Sequence, residues 1–489
     1  MQSDSIIDKI KKLEKHVLAL EGTPTTRKMI QGKIQAYCEN FIQNLKEGIA
    51  FNAIHEDACG FYDYPICENG YSLDEVLDLF DRSVDKPGLN AASGRHLAYV
   101  PGGGVPTAAS GDYLAAITNK YAGVFFAGPG AVRIENQMIQ FCANAIGYTG
   151  NYGGNLASGG SVANLIAIAA GRDAHKIKGA NYHKTVIYGS KHMHHCVDKS
   201  IRITGLKECI YRDIPLDDKF RMDVGILSKQ IKTDLSVGLA PFMVIASAGT
   251  TNCGVIDPVN EIANVCEKFK LWLHVDAAYG GLFCLLEEEK AKFKGIERAD
   301  SIVVDPHKAL FLPYGLGVAL VKNVEHLLKS QFYEADYMQD AIENRNEISP
   351  AELSPELTKH FRGLRMWLPL QIHGVAPFKS AMREKLLLTK YYCDELRKIN
   401  NIRIVNEPEL SIFAYRYEDP SKSKKENNSI NKRLVEEIHR DGKVFLSSTT
   451  IEGEVCLRIA ILSFRTHLFE IDLAINEIKT KLGAMTINS

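Results

Sequence analysis

The chain has 489 residues, of which 45% are hydrophobic and 24% charged, with a formal net charge of −1. That length supports two or three domains with a large buried core, and the even charge balance provides no global field for nucleic acid or an anionic membrane surface. The eleven cysteines are scattered and form no CxxC pair, which argues against a disulfide framework and for reduced thiols in a cytoplasmic protein. The chain opens Met-Gln-Ser-Asp without an apolar run behind it, so no signal peptide is expected. No apolar stretch reaches membrane-spanning length.

Residues 4–49 read as two helices. Ile6, Ile7, Ile10, Leu13, Val17 and Leu20 recur at helical spacing until Glu21-Gly22-Thr23-Pro24 breaks the run. This segment is too small to fold alone and is expected to pack on the main body or on a partner subunit. Residues 85–150 form a Gly/Ala-rich region with Pro101-Gly102-Gly103-Gly104, followed by a helix carrying Glu135. From about residue 155 strands and helices alternate. Thr185–Tyr188, Phe242–Ser247, Leu271–Val275 and Ile302–Val304 read as short buried strands, the pattern of a mostly parallel sheet with helices on both faces. The polar stretch Tyr333–Pro355 reads as a mobile loop beside the site or as a long connection, and Asp419–Asn431 as a charged surface insertion.

The motifs that carry chemistry fall just beyond the strands, where α/β sheets gather their active groups. Ser301-Ile302-Val303-Val304-Asp305-Pro306-His307-Lys308 ends an apolar strand in a histidine–lysine pair, and Leu271-Trp272-Leu273-His274-Val275 delivers Asp276 in the same way. A lysine to form an imine and a carboxylate to hold a proton on a ring nitrogen suit pyridoxal phosphate, an aldehyde cofactor bound covalently. Ser158-Gly159-Gly160-Ser161 precedes an apolar helix, and its glycines, helix N-terminus and Ser161 hydroxyl suit an anion. Alone it would read as an N-cap; with Asp276 and Lys308 downstream it reads as a phosphate cradle, and it fits neither a P-loop nor a dinucleotide fingerprint. Lys191-His192-Met193-His194-His195-Cys196 invites a zinc reading, but adjacent loop side chains rarely converge on one ion, and a single histidine stacked on a planar ring explains the position better. Gly249-Thr250-Thr251 and Gly254-Val255-Ile256-Asp257-Pro258 read as turns beyond another strand end.

Taken together, His194, Gly249-Thr250-Thr251, His274-Val275-Asp276-Ala277-Ala278-Tyr279 and Asp305-Pro306-His307-Lys308 resemble the group II pyridoxal-phosphate-dependent amino-acid decarboxylases, in order from about residue 85 to 465. The resemblance implies a type I (aspartate aminotransferase-like) α/β fold, with a mostly parallel sheet in the large domain and a smaller α+β C-terminal domain. It further implies a homodimer with active sites at the interface, and an L-amino acid as substrate. The corresponding division is 1–84 for an N-terminal helical segment packing on the partner, 85–374 for the cofactor-binding domain and 375–489 for the small domain. Lys308 would be the imine-forming lysine, Asp276 the partner of the ring nitrogen, and His194 and Ala278 would lie on opposite ring faces. Gly160, Ser161, Ser301 and His307 would hold the phosphate, with Thr250 near the ring. Arg458 matches a family arginine that meets the substrate carboxylate, with a structural strand arginine as the alternative, and His96 is a candidate for the substrate pocket. No metal is expected.

Two details bear on the product and the substrate. Aromatic decarboxylases carry a loop tyrosine that protonates the intermediate; aligned on Phe361-Arg362-Gly363-Leu364-Arg365-Met366-Trp367, that position falls near Pro350. Tyr333, Tyr337 or a histidine is the substitute if the loop is realigned; without one, reaction with oxygen would give an aldehyde instead of an amine. The pocket segments around His96 to Gly104 contain glycine where aromatic-specific relatives carry bulkier groups, which would leave room for a large aromatic substrate.

Overall fold

Ser5 caps the first helix, α1 (Ile6–Glu21), through a reciprocal pair with Asp8. Gly22 ends it, and Thr23 caps α2 (Pro24–Asn44), with Pro24 at its first turn. After strand β1 (Phe51–Asn52), Ser72 and Glu75 cap α3 (Leu73–Phe80) in the same reciprocal way, and β2 (Gly88–Leu89) returns antiparallel to β1. The apolar residues of α1, Ile6, Ile7, Ile10, Leu13, Val17 and Leu20, are all exposed. The computed structural model describes residues 5–53, 57–332 and 347–487. Contacts divide the chain into two units, Met1–Asn90 and Ala91–Ser489.

In the second unit, α4 (Pro106–Thr118) and α5 (Pro129–Ile146) lead into a seven-stranded sheet. Its strands are β3 (Gly153–Ala157), β4 (Thr185–Gly189), β5 (Ile210–Asp213), β6 (Ala240–Ser247), β7 (Trp272–Asp276), β8 (Ser301–Val304) and β9 (Gly317–Val321), in the order β3-β9-β8-β7-β6-β4-β5. Strands β5, β4, β6, β7 and β8 pair in parallel, and β9 runs antiparallel to both its neighbours. Alternate side chains feed two separate cores. Val186, Val244, Val275 and Ile302 enter one, and Ile187, Ile245, Trp272 and Val303 enter the other. A sheet covered on both faces therefore needs continuous apolar runs, which is why its central strands were visible in the sequence. The crossovers include α6 (Gly160–Ala174), α7 (His195–Ile203), α8 (Val224–Ser236) and α9 (Val259–Phe269), while α10 (Pro306–Ala309) and α11 (Val324–Gln331) flank β9.

A second sheet, wholly antiparallel, has the order β10 (Ile402–Ile404), β11 (Ile412–Tyr417), β13 (Glu454–Ala460), β12 (Ser447–Ile451). The helices Ala376–Leu396, Lys424–Asp441 and Leu468–Ile487 cover it through Tyr392, Leu434 and Ile475. The expected surface insertion at Asp419–Asn431 is corrected here. Ser423 and Glu426 form a capping box that starts the helix at Lys424, and the buried Asn427 and Asn431 bond the backbone of Asp419 and Tyr417. Within the large sheet unit, Glu135 and Lys359 form a fully buried ion pair at 2.9 Å. Lys359 also donates to Asn155 and to the Leu156 carbonyl. Among the described residues no helix is long and apolar enough to cross a membrane.

Of the segment read as a loop, residues 333–346, with Tyr333 and Tyr337, lie outside the described residues. Downstream of it, Ser349 caps a short turn, Pro350–Leu353. Pro350 is buried there, its carbonyl accepting from Asn155 Nδ2 at 3.0 Å.

Candidate active site

The carboxyl ends of β4, β6, β7 and β8 open onto one cavity of about 370 Å³, within the roughly 300–1,000 Å³ typical of small-molecule sites. Gly160, Ser161, His194, Thr250, Asp276, Ala278, His307 and Lys308 all line it. Asp276 is the last residue of β7, and Lys308 sits on α10, four residues beyond β8. The cradle is built by α6, whose N-terminus carries Gly160 and Ser161 to the cavity wall. A side chain at Gly160 would come within 2.8 Å of Asp305 Oδ2, so only glycine permits this approach.

One ion pair stands in the cavity wall. Lys308 Nζ lies 3.0 Å from Asp305 Oδ2. Burial pushes the Lys308 ammonium down, but the carboxylates of Asp305 and Asp276 outweigh it, and its pKa lies above the usual lysine value. Asp276 Oδ1 accepts from the Ala278 amide at 3.1 Å, and Asn164 Nδ2 lies 3.4 Å from Oδ2. His194 caps α7 by accepting the Cys196 amide on Nδ1 at 3.2 Å, and burial lowers its pKa, leaving a neutral ring against the cavity. His307 Nδ1 donates to the Leu316 carbonyl at 2.6 Å, and burial lowers its pKa as well. Thr250 Oγ1 accepts from the Val255 amide at 3.2 Å, so it holds a turn as well as lining the cavity. That turn is anchored by buried Asp257, which accepts the Met222 and Ser247 amides, each at 2.8 Å.

Three expected site residues lie elsewhere. Ser301 is the first residue of β8, at the opposite end of the strand from Lys308, and is fully buried. Its hydroxyl accepts from Trp272 Nε1 and bonds His274 Nδ1, both at 2.8 Å. It is spent on the interior and does not reach the cavity where a phosphate would sit, which corrects that assignment. His96 is fully buried beside Phe445 and Tyr99 and is not in the cavity wall. Burial holds its pKa down at about 4. Arg458 stands behind the wall, donating from Nε to the Thr251 carbonyl at 2.6 Å and from Nη1 to Ser447 at 3.2 Å. It is 4% exposed, its pKa is pushed down to about 10 by burial, and its Nη2 has no hydrogen-bond partner. Gly102 and Gly103 do not open a substrate pocket either, being required by close packing. A Cβ on Gly102 would fall 2.1 Å from the His307 carbonyl, and one on Gly103 would fall 2.6 Å from Ser463 Oγ.

Other residues enter the site without having been singled out. His192, set aside with its neighbours in the sequence, lines the cavity at 6% exposure, its ring stacked on Phe220 at 6.0 Å. Asn164, Cys196, Asp305 and Tyr314 line it too. Asn164 carried a signal that spacing could have revealed: it lies four residues into a helix whose first turn is the cradle.

This geometry joins a lysine, a strand-end carboxylate, an imidazole and a helix N-terminus on one cavity. The pyridoxal-dependent decarboxylase conserved domain matches residues 78–418. The chain belongs to that family. It is 35% identical over 425 residues to an aromatic-L-amino-acid decarboxylase of Bacillus atrophaeus, covering 86% of this chain and 88% of the relative. A phenylacetaldehyde synthase of Petunia hybrida is 27% identical, covering 83% and 84%. The fold matches a crystal structure of Oryza sativa TDC with PLP and tryptamine at a TM-score of 0.90 and 22% identity, over 95% of this chain and 99% of that one. The enzyme is thus a pyridoxal-phosphate-dependent decarboxylase of the type I fold, a lyase of amino-acid metabolism. The residues present fit the cofactor. They offer an aldehyde-reactive lysine, a glycine cradle with no room for a Cβ at Gly160, a strand-end carboxylate, and the neutral rings of His194 and His307.

Proposed function

We propose that this decarboxylase converts an aromatic L-amino acid to its amine and CO2. The observation that carries the reading is the convergence of Lys308, Asp276 and His194 on one cavity. The 35% identity to an aromatic-L-amino-acid decarboxylase supports the substrate class. The bound cofactor supplies an aldehyde for imine formation and a cationic ring that takes up the electron pair left by departing CO2. Lys308 provides the amine. Asp276 holds the proton on the ring nitrogen electrostatically. Gly160, Ser161 and His307 orient the phosphate beside the α6 N-terminus. His194 and Ala278 confine the ring between them, and Thr250 borders it. Arg458 acts on the substrate carboxylate from behind the wall, holding the Thr251 carbonyl of the cavity lining in place.

The same proposal takes the enzyme as a homodimer with its sites at the interface, which the exposed apolar side of α1 supports. Its division into 1–84, 85–374 and 375–489 is supported at the second boundary by the two sheets of the second unit, while the first unit ends a few residues later, at Asn90. A cytoplasmic location is supported by ten free cysteines among the described residues.

One observation favours a second product. Pro350, the position aligned with the protonating tyrosine, is buried and carries no proton to give. Without another donor the substrate carbon would react with oxygen, so that amino acid, O2 and water yield aldehyde, CO2, ammonia and hydrogen peroxide. The test is mass spectrometry of products after cofactor-loaded protein meets tryptophan, tyrosine, DOPA, glutamate and aspartate in air. Tryptamine, tyramine or dopamine is the expected result. An aldehyde with peroxide would establish the second product, and a preference for the acidic pair would overturn the aromatic assignment.

A further inference from the structure

Below the cavity a row of buried side chains runs from β7 and β8 to Asp276, and its protons have a single consistent direction. Trp272 Nε1 only donates, so Ser301 Oγ, 2.8 Å away, accepts. The Ser301 hydrogen is then free for His274 Nδ1, also at 2.8 Å. His274 Nε2 lies 2.7 Å from Asn164 Oδ1, an acceptor, and therefore carries the ring proton. The Asn164 amide nitrogen faces three acceptors: the Gly160 carbonyl at 2.9 Å, Asp276 Oδ2 at 3.4 Å and Cys196 Sγ at 3.5 Å. Reversing the amide would set its NH2 against the imidazole N–H and its oxygen against a carboxylate. Asn164, His274 and Ser301 are wholly buried, so no water competes for these contacts.

We propose that Asn164 is a positioning residue: held by the Trp272–Ser301–His274 row, it orients Asp276 with a neutral N–H donor and links it to Gly160 at the phosphate cradle. The proposal rests on the reading in which Asp276 faces the ring nitrogen. A neutral donor steadies the carboxylate without neutralising it, so its charge stays available for the ring. Burial holds His274 down at about 4, which keeps that end of the row uncharged. The groups facing Asp276 from neighbouring elements are Lys308, His194 and Cys196.

The test compares dissociation constants for pyridoxal phosphate and for its 1-deaza analogue, in which carbon replaces the ring nitrogen. Both present the same aldehyde and phosphate, so their ratio isolates the Asp276 contact. In the parent protein the natural cofactor is bound more tightly; equal affinities would overturn the placement of Asp276 and leave Asn164 no role toward the ring. Given that preference, Asn164→Leu is expected to reduce it about tenfold, the scale of a hydrogen bond to a charged group. A purely structural role for Asn164 would weaken both ligands equally and leave the ratio unmoved, and that result overturns the proposal. His274→Leu, which frees the amide while leaving Asn164 in place, serves where the first variant does not fold. It is expected to lower the same ratio at least about threefold, and an unchanged ratio there also overturns the proposal.

Discussion

Ser301→Ala separates the two roles that the sequence and the structure give this serine. The hydroxyl accepts from Trp272 Nε1 and donates to His274 Nδ1, each contact 2.8 Å long and fully buried. Alanine removes the oxygen and leaves both buried nitrogens without that partner. An unsatisfied buried polar group costs about 1–3 kcal/mol, so the pair costs about 2–6 kcal/mol. That is a large part of the roughly 5–15 kcal/mol by which domains are stable. The assay is urea unfolding followed by tryptophan fluorescence, to which Trp272, one of two tryptophans in the chain, reports directly. Alongside it, the ratio of affinities for pyridoxal phosphate and pyridoxal measures the phosphate contacts alone. Ser301→Ala should lower the urea midpoint and leave that ratio unchanged, whereas Ser161→Ala should lower the ratio. An unchanged midpoint with a reduced phosphate preference would refute the assignment of Ser301 to the interior.

Lys359→Met leaves Glu135 charged and unpaired where both side chains have no exposure; unfolding should show a loss of about 3–5 kcal/mol, largely recovered in Lys359→Met/Glu135→Leu. His96, His192 and His274 have pKa values held down at about 4 by burial. The unfolded chain binds their protons near the ordinary value of about 6.5, so stability falls as pH drops from there toward 4, by up to about 3 kcal/mol for each; stability that rose on acidification through this window would contradict their burial as neutral rings. Lys308 is held protonated by Asp305 and Asp276. Because only the free amine attacks a carbonyl, the rate of cofactor uptake by stopped-flow absorbance should increase with pH from 7 through 9. Arg458→Lys loses the bonds to Thr251 and Ser447 and should raise KM for the amino acid about tenfold with a smaller change in kcat.

The strands and the lysine–aspartate pair were legible because a sheet covered on both faces demands unbroken apolar runs, and a charge ending such a run has to be explained. β3 (Gly-Gly-Asn-Leu-Ala) escaped for the opposite reason. Its glycines are required by crowding, a Cβ on Gly153 meeting Val324 at 2.5 Å, and glycine-rich segments carry no β signal. The helix from Lys424 was hidden under its charge, although Ser423-x-x-Glu426 is a capping box that could have located it. Ser301 was tied to the phosphate by the resemblance alone, although it opens β8 and the cavity lies at that strand's carboxyl end. His192 was passed over because three nearby histidines look alike until burial separates them.

Asp305 shows why the lysine motif works as one unit. Its backbone continues from β8, Pro306 begins the turn, and the Lys308 amide closes on the Asp305 carbonyl at 2.9 Å. This single turn brings the two side chains, three residues apart, to 3.0 Å. The Asp305 carboxylate is 2% exposed, and its second oxygen has no hydrogen-bond partner. A buried, half-satisfied carboxylate is costly, and two features offset that cost: the Lys308 cation and the N-terminus of α6, whose dipole favours negative charge. Both approaches depend on missing side chains. Gly160 and Gly317 would each place a Cβ within 2.8 Å of the carboxylate, at 2.8 and 2.6 Å. The glycines of the cradle and of β9 are therefore tied to the acid of the lysine motif. A change from Asp305 to asparagine would keep the shape but remove the stronger of the two carboxylates that raise Lys308, leaving Asp276 to oppose its burial.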